Sequence, residues 1–367
     1  MRILHLVDSL EIGGMERMIV TLAGYQKRQG HDVEVATLLR AGSFAKDLQR
    51  LSIPVTNFAK PQGFSFSTGQ AIRNTLDRLE ADVLHTHNPV PLIYGRLGGG
   101  LKRKLKFINT RHDMGLHLSS PKAHFLYRIA RAGNVATVAV CRPAFDRFIA
   151  NGEFSKSTSS VIPNGINLDQ FKNCSPEQST ALRRSFAANR ETFVMGTVGR
   201  LNPVKAQERM VELCGDLLSV GVPVKLVLAG DGQCRRDLEL KVNQLGIASH
   251  VSFIGETQDV PSFLHSLDLF LLTSHTEGYS MALVEASAAG LPILATNVGG
   301  NSEIVNDGET GYLVQPEDRK GLLERALLLY NNKSLRVSMG KKALTWAEHS
   351  GSTKAMADLY FDLYQAS

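Results

Sequence analysis

The chain has 367 residues, 43% apolar and 21% charged, a balance that excludes a disordered polar chain and favours substantial cores. That length exceeds the roughly 250–300 residues at which one hydrophobic core stops growing, so two domains are expected. The net charge of +6 conceals a split near residue 175: 23 basic against 13 acidic residues precede it, and 18 against 22 follow.

From the start, apolar β-rich runs alternate with helical stretches, the pattern of parallel sheets covered by helices on both faces. In the first half the expected strands are 3–7, 33–38, 55–58, 83–86, 107–110, 137–140 and 161–163, joined by helices near 15–29, 68–80, 90–97, 122–132 and 142–150. Polar and turn residues at 172–191 mark a linker. The alternation then resumes with strands at 193–198, 224–228, 251–254, 269–272, 293–295 and 312–314, and successive helices fill 318–365. The expected fold class is α/β with two Rossmann-like doubly wound domains, spanning 1–172 and 173–350, and a final helix at 351–367 packing back on the first.

Asp8 cuts the first apolar run short of a secretory leader, and no stretch approaches the 18 or so apolar residues of a membrane span. Cys141, Cys174, Cys214 and Cys234 have neither metal nor redox-motif spacing, so a reducing cytoplasm is expected. The cluster Lys102, Arg103, Lys104 and Lys106 suits an anionic acceptor or lipid head groups, or else a solvated helix end.

In open α/β sheets ligands sit beyond the carboxyl ends of strands, and several informative residues follow strands. Gly13 and Gly14 enter a helix without the three spaced glycines of a dinucleotide site; they form a tight turn or admit a phosphate. In GRLNPVK at 199–205, Asn202 is a good N-cap and Pro203 a good first helical residue, so Lys205 is expected in a first helical turn. With Arg200 just before it, that makes a diphosphate site or an exposed basic turn. Glu277 is expected in a loop and Glu285 inside an apolar helix starting near Ser280. A carboxylate there needs a partner, either vicinal sugar hydroxyls or a structural cap.

These residues lie in motifs that run in order over nearly the whole chain: IGGMER, DVLHTHNP, TRHD, VIPNGIN, GRLNPVK, LAGDGQ, FIGETQDVPSFL and SHTEGYSMALVEASAAGLPILATNVGGNSEIV. The ordered set resembles glycosyltransferase family 4, the retaining GT-B group whose two domains face a central cleft. The resemblance implies that Arg200 and Lys205 hold the diphosphate of a UDP- or GDP-sugar donor, Glu277 the transferred sugar and Glu285 the ribose. It places Gly278, Tyr279, Ser280, Met281, Ala282 and Leu283 against sugar and phosphates, Ile254 and Gln258 near the base, and Gly13 and Gly14 facing the phosphates.

His112 occupies the position of a histidine near the reacting sugar, or merely ends a strand; His85 and His87 read as strand-end structure. Asp113 and Asn164 belong to the acceptor or interdomain side, with His117, Lys122, Arg128 and Arg131 as acceptor contacts. The resemblance further implies a glycan or lipid-linked acceptor, peripheral contact with an anionic membrane, and front-face transfer needing no metal or other cofactor. The same architecture also serves nucleotide-sugar epimerases, phosphorylases and non-catalytic nucleotide-sugar-binding subunits.

Overall fold

The structure, a computed structural model, describes residues 1–11, 13–100, 104–114, 121–132, 135–186, 188–189 and 191–366. The chain divides into two compact units: Met1–Ile166 with Thr353–Ser367, and Asn167–Ser352. The first unit thus stops short of the expected boundary at 172. The stretch expected as a linker begins at the end of helix Asp169–Lys172 and holds helix Pro176–Ser185, both within the second unit. Ser175 caps the latter by accepting from the Gln178 N–H, so a polar surface helix had the composition of a loop.

The first unit contains β1 (Arg2–Ser9), β2 (Asp32–Arg40), β3 (Val55–Asn57), β4 (Val83–His87), β5 (Lys106–Arg111), β6 (Val135–Ala139) and β7 (Ser159–Val161). They form one sheet in the order β3-β2-β1-β4-β5-β6-β7, parallel in every pair. The second holds β8 (Phe193–Val198), β9 (Val224–Ala229), β10 (Val251–Gly255), β11 (Leu269–Leu272), β12 (Ile293–Thr296) and β13 (Gly311–Val314), ordered β10-β9-β8-β11-β12-β13. Central strands such as β9 and β11 are buried along their whole length, as expected where helices cover both faces.

Each sheet reverses its strand order once, between β1 and β4 and between β8 and β11. The connections leaving these neighbouring strands diverge to opposite faces, which opens a crevice at their carboxyl ends. Arg200 and Lys205 follow β8 and Glu277 follows β11, so the second reversal gathers the expected donor residues. At the first reversal, register pairs His5 of β1 with His85 of β4.

Candidate active site

In the second unit, Gly199 and Arg200 leave β8 over a turn made by Gly230, Asp231 and Gly232. The Gly199 N–H donates to the Ala229 carbonyl (2.9 Å) and the Leu201 N–H to the Asp231 carbonyl (2.9 Å). A Cβ at Gly230 would lie 2.0 Å from the Gly199 oxygen, and one at Gly232 would lie 2.2 Å from the Leu201 oxygen. The LAGDGQ motif thus serves as a close-packed support for the Arg200 loop, whose guanidinium side is exposed.

Asn202 caps as expected, its side chain accepting from the Lys205 N–H. The helix it opens is a single 3-10 turn, Pro203–Lys205, ended by Ala206 at φ 47°, and the next α-helix starts only at Glu208. Lys205 therefore does not sit in the first turn of an α-helix. A turn of three residues aligns too few peptides for a useful dipole, so the lysine's own charge must carry the attraction for an anion.

That charge is already placed. Lys205 Nζ lies 2.7 Å from Glu277 Oε1, and Ser274 Oγ donates to the same oxygen at 2.5 Å. The Glu277 side chain is 9% exposed and that of Lys205 26%, so the pair is sheltered yet reachable. Both bonds fall on Oε1, which leaves Oε2 with no further partner among the described residues.

The Glu277 loop is pinned from behind by Gly299 and Gly300. The Gly300 N–H donates to the Gly278 carbonyl (2.9 Å), while Gly299, at φ 52°, lies where a Cβ would be 1.8 Å from the Glu277 oxygen. Only glycine fits this approach.

Ser280 precedes helix Met281–Ala288, which carries Leu283 and the buried Glu285. Its side chain makes no capping bond, and its buried Oγ has no hydrogen-bond partner among the described residues. Tyr279 is buried, with Gly278, Met281 and Ala282 half-buried around it. An unpaired buried hydroxyl at a helix start is a polar lining waiting for a hydrogen-bond partner. Ile254 lies on β10 and Gln258 is exposed in the loop beyond it. A separate cavity of about 220 Å³, lined by Arg209, Thr273, Thr296 and Glu317 among others, holds none of the expected donor residues.

In the first unit, Gly13 is the extended N-cap (φ −174°) of helix Gly14–Arg28. The Glu16 carboxylate folds over it, 2.3 Å from where a Cβ would stand. Nearby Asp8, at the end of β1, has its pKa pushed up to about 6 by burial and by Glu16.

Asp113, expected on the acceptor side, is committed to Arg111. That guanidinium is buried, bonding Asp113 (2.8 Å) and Glu153 (2.7 Å) and lying over the Phe148 ring at 4.4 Å. The Arg111 charge is thus neutralised and stacked inside the unit, while Asp113 Oδ2 is buried with no hydrogen-bond partner among the described residues. Asn164 is buried with Oδ1 unpaired among the described residues. Lys122 and Arg128 are exposed on helix Pro121–Arg131, which also bears Arg131. His117, Lys102 and Arg103 lie outside the described residues. Of the basic cluster, Lys106 is spoken for: its Nζ binds the carbonyls of Tyr364 (2.6 Å) and Gln365 (3.0 Å) at the end of helix Thr353–Ala366.

His112 Nε2 lies 3.1 Å from His87 Nδ1, so one of the two strand-end histidines contacts the residue singled out from sequence. Donor atoms of His5, His85 and His87 lie within 4.8 Å of one another, close enough for a metal ion. All six nitrogens are already engaged in hydrogen bonds: with Gln26, Tyr364, Thr110, His112 and one another. Burial holds His5 and His112 down to about 4 and His85 and His87 well below the ordinary histidine value.

Two family descriptions match in succession, Glycosyltransferase Family 4 over residues 12–170 and Glycosyl transferases group 1 over residues 178–346. EpsD of Bacillus subtilis is 26% identical over 325 residues, covering 85% of this chain and 84% of its own length. The UDP-Gal:alpha-D-GlcNAc-diphosphoundecaprenol alpha-1,3-galactosyltransferase of Escherichia coli is 25% identical over 297 residues, 79% of this chain and 76% of that one. Among solved structures, HepE of Anabaena in complex with UDP matches over 100% of both chains with a TM-score of 0.86 at 23% identity. With two parallel-sheet α/β units and matching motifs along nearly its whole length, the chain has the GT-B fold and belongs to glycosyltransferase family 4.

Proposed function

We propose that this glycosyltransferase moves a sugar, with retention of anomeric configuration, from a UDP- or GDP-sugar to a glycan or lipid-linked acceptor in bacterial surface polysaccharide or glycolipid synthesis. The observation that carries the reading is the Lys205–Glu277 pair at the strand-order reversal of the second sheet. It sets an ammonium for the diphosphate beside a carboxylate oxygen for sugar hydroxyls. Arg200 adds a second cation, the Ser280 hydroxyl and the start of helix Met281–Ala288 supply donors to phosphate oxygens, and Glu285 takes the ribose. Gly278, Tyr279, Ala282 and Leu283 line sugar and phosphates, and Ile254 and Gln258 border the base. The E. coli relative's name supplies a precedent for a nucleotide-sugar donor and a lipid-linked acceptor.

With Glu277 committed to Lys205 and Ser274, front-face attack is favoured over a covalent glycosyl-enzyme. The bond from the anomeric carbon to the β-phosphate oxygen breaks as the acceptor oxygen bonds the same carbon on the same face. The acceptor's proton passes to the departing phosphate. Arg200 and Lys205 absorb the developing charge, each preorganised donor being worth roughly 3 kcal/mol in comparable sites, so no metal ion is needed for that role.

The first unit serves the acceptor, at the inner face of an anionic membrane. Helix Pro121–Arg131 exposes Phe125, Leu126 and Ile129 alongside Lys122 and Arg128, a mixture suited to shallow insertion beside acidic head groups. No helix among the described residues is long and apolar enough to cross a membrane. A thermal-shift screen of UDP- and GDP-sugars tests the donor assignment, since a ligand at 100 times its Kd adds about 2.7 kcal/mol. Stabilisation by one nucleotide class is expected; indifference to both would remove the donor site.

A further inference from the structure

The buried histidines of the first unit form a single hydrogen-bonded chain ending at His112. His112 Nε2 meets His87 Nδ1 (3.1 Å), His87 Nε2 meets His5 Nδ1 (3.1 Å), and His5 Nε2 meets Gln26 Oε1 (2.7 Å). Gln26 Nε2 in turn donates to the Tyr364 hydroxyl (3.2 Å), which also bonds His85 Nδ1 (2.7 Å). His85 Nε2 reaches Thr110 Oγ1 at 2.8 Å.

A neutral imidazole has one N–H and one lone pair, so the direction of one link dictates the next. With Gln26 Oε1 accepting, His5 carries its proton on Nε2 and its Nδ1 accepts from His87 Nε2–H. His87 Nδ1 then accepts from His112 Nε2–H, and a lone pair is left on His112 Nδ1. That atom is buried and has no partner among the described residues. Turning the Gln26 amide over would reverse every link and end the chain on an N–H instead. An orphaned buried N–H is rarer and costlier than an under-used acceptor, so the first direction prevails.

We propose that His5, His87 and Gln26 are positioning residues that fix His112 as the Nε2–H tautomer, so that Nδ1 accepts a hydrogen bond from a hydroxyl of the sugar substrate. The substrate half of this inference rests on the function proposed above; the tautomer half does not. Through Gln26 the chain reaches Tyr364 on the last helix, which gives that returning helix a role in setting a nitrogen some way from it.

Nitrogen-15 NMR of the histidine-labelled full chain tests both halves, with the His112 signals assigned from a His112→Gln spectrum. The unsubstituted protein is expected to show a pyridine-type Nδ1 and a pyrrole-type Nε2 at His112. His5→Phe removes the acceptor for His87 Nε2–H. Either direction of the remaining link then orphans a buried N–H, on His87 Nε2 or on His112 Nδ1, so the tautomer is no longer fixed and averaged nitrogen signals are expected at His112. kcat/KM should fall about tenfold while donor affinity and Tm-matched folding persist.

His5→Asn, whose Oδ1 can stand in for Nδ1, should keep the original tautomer and most of the activity. Should His5→Phe fail to fold, His87→Leu leaves His112 Nε2 without its acceptor and should average its two nitrogen signals. A His112 tautomer that is reversed at the outset, or unmoved by either substitution, overturns the relay. Loss of the single tautomer with unchanged turnover overturns the substrate contact.

Discussion

Lowering the pH from 7.5 to 5.5 should destabilise the first unit selectively. His5, His85, His87 and His112 are held below the ordinary value of 6.5, chiefly by burial, with His5 and His112 at about 4. The unfolded chain therefore takes up protons first as the pH drops. Stability from these groups is complete above about pH 6.5 and is lost as the pH falls from there towards 4. All four act in the same direction, so lowering the pH by two units removes on the order of a few kcal/mol, a large share of the whole stability of many domains.

Asp8 acts in the opposite sense. Raised to about 6, it regains at most about 1 kcal/mol by taking up its proton in the folded state. Trp346, the one tryptophan, lies in the second unit and serves as an internal control. Thermal melts followed by circular dichroism should show a transition that moves down by many degrees, with the Trp346 fluorescence transition shifting far less. Equal shifts in both signals, or none in either, would refute the reasoning.

Lys205→Ala should cut kcat by about two orders of magnitude with the fold intact; near-normal turnover in a folded variant removes the ammonium from the mechanism. Gly299→Ala should lower the Trp346 unfolding midpoint. The left-handed conformation alone costs about 1–2 kcal/mol, and the Glu277 loop must also move aside, so activity should fall with it. Transfer should persist in EDTA, and strict metal dependence would contradict the role given to Arg200 and Lys205. Co-sedimentation with anionic vesicles should exceed that with neutral ones and weaken in Phe125→Ser; equal binding to both discards the electrostatic membrane contact.

The strands were legible because parallel strands buried on both faces are short unbroken apolar runs, as at β9 and β11. Where a strand lies at a sheet edge the runs blur: β7, expected at 161–163, occupies Ser159–Val161, where serines outnumber apolar residues. Glu277 and Glu285 fell on the expected loop and helix because the apolar run Met281–Ala288, free of glycine, proline and β-rich alternation, follows a Gly- and Ser-containing turn. The turn at Lys205 was misread because Ala206, a strong helix former, takes a left-handed conformation that nothing local demands. Arg111 was not singled out at all, since its two carboxylate partners include Glu153, 42 residues away. The histidine chain was likewise hidden. The alternation of His85 and His87 shows that they share one face of a strand, but their meeting with His5 depends on the β1–β4 register, and that with Gln26 and Tyr364 on helix packing.

A crystal structure of the protein soaked with UDP or GDP tests the central claim most directly. The diphosphate is expected between Arg200, Lys205 and the Ser280 hydroxyl, with the ribose on Glu285. A nucleotide bound elsewhere on the second unit, with the Lys205–Glu277 pair untouched, would contradict it.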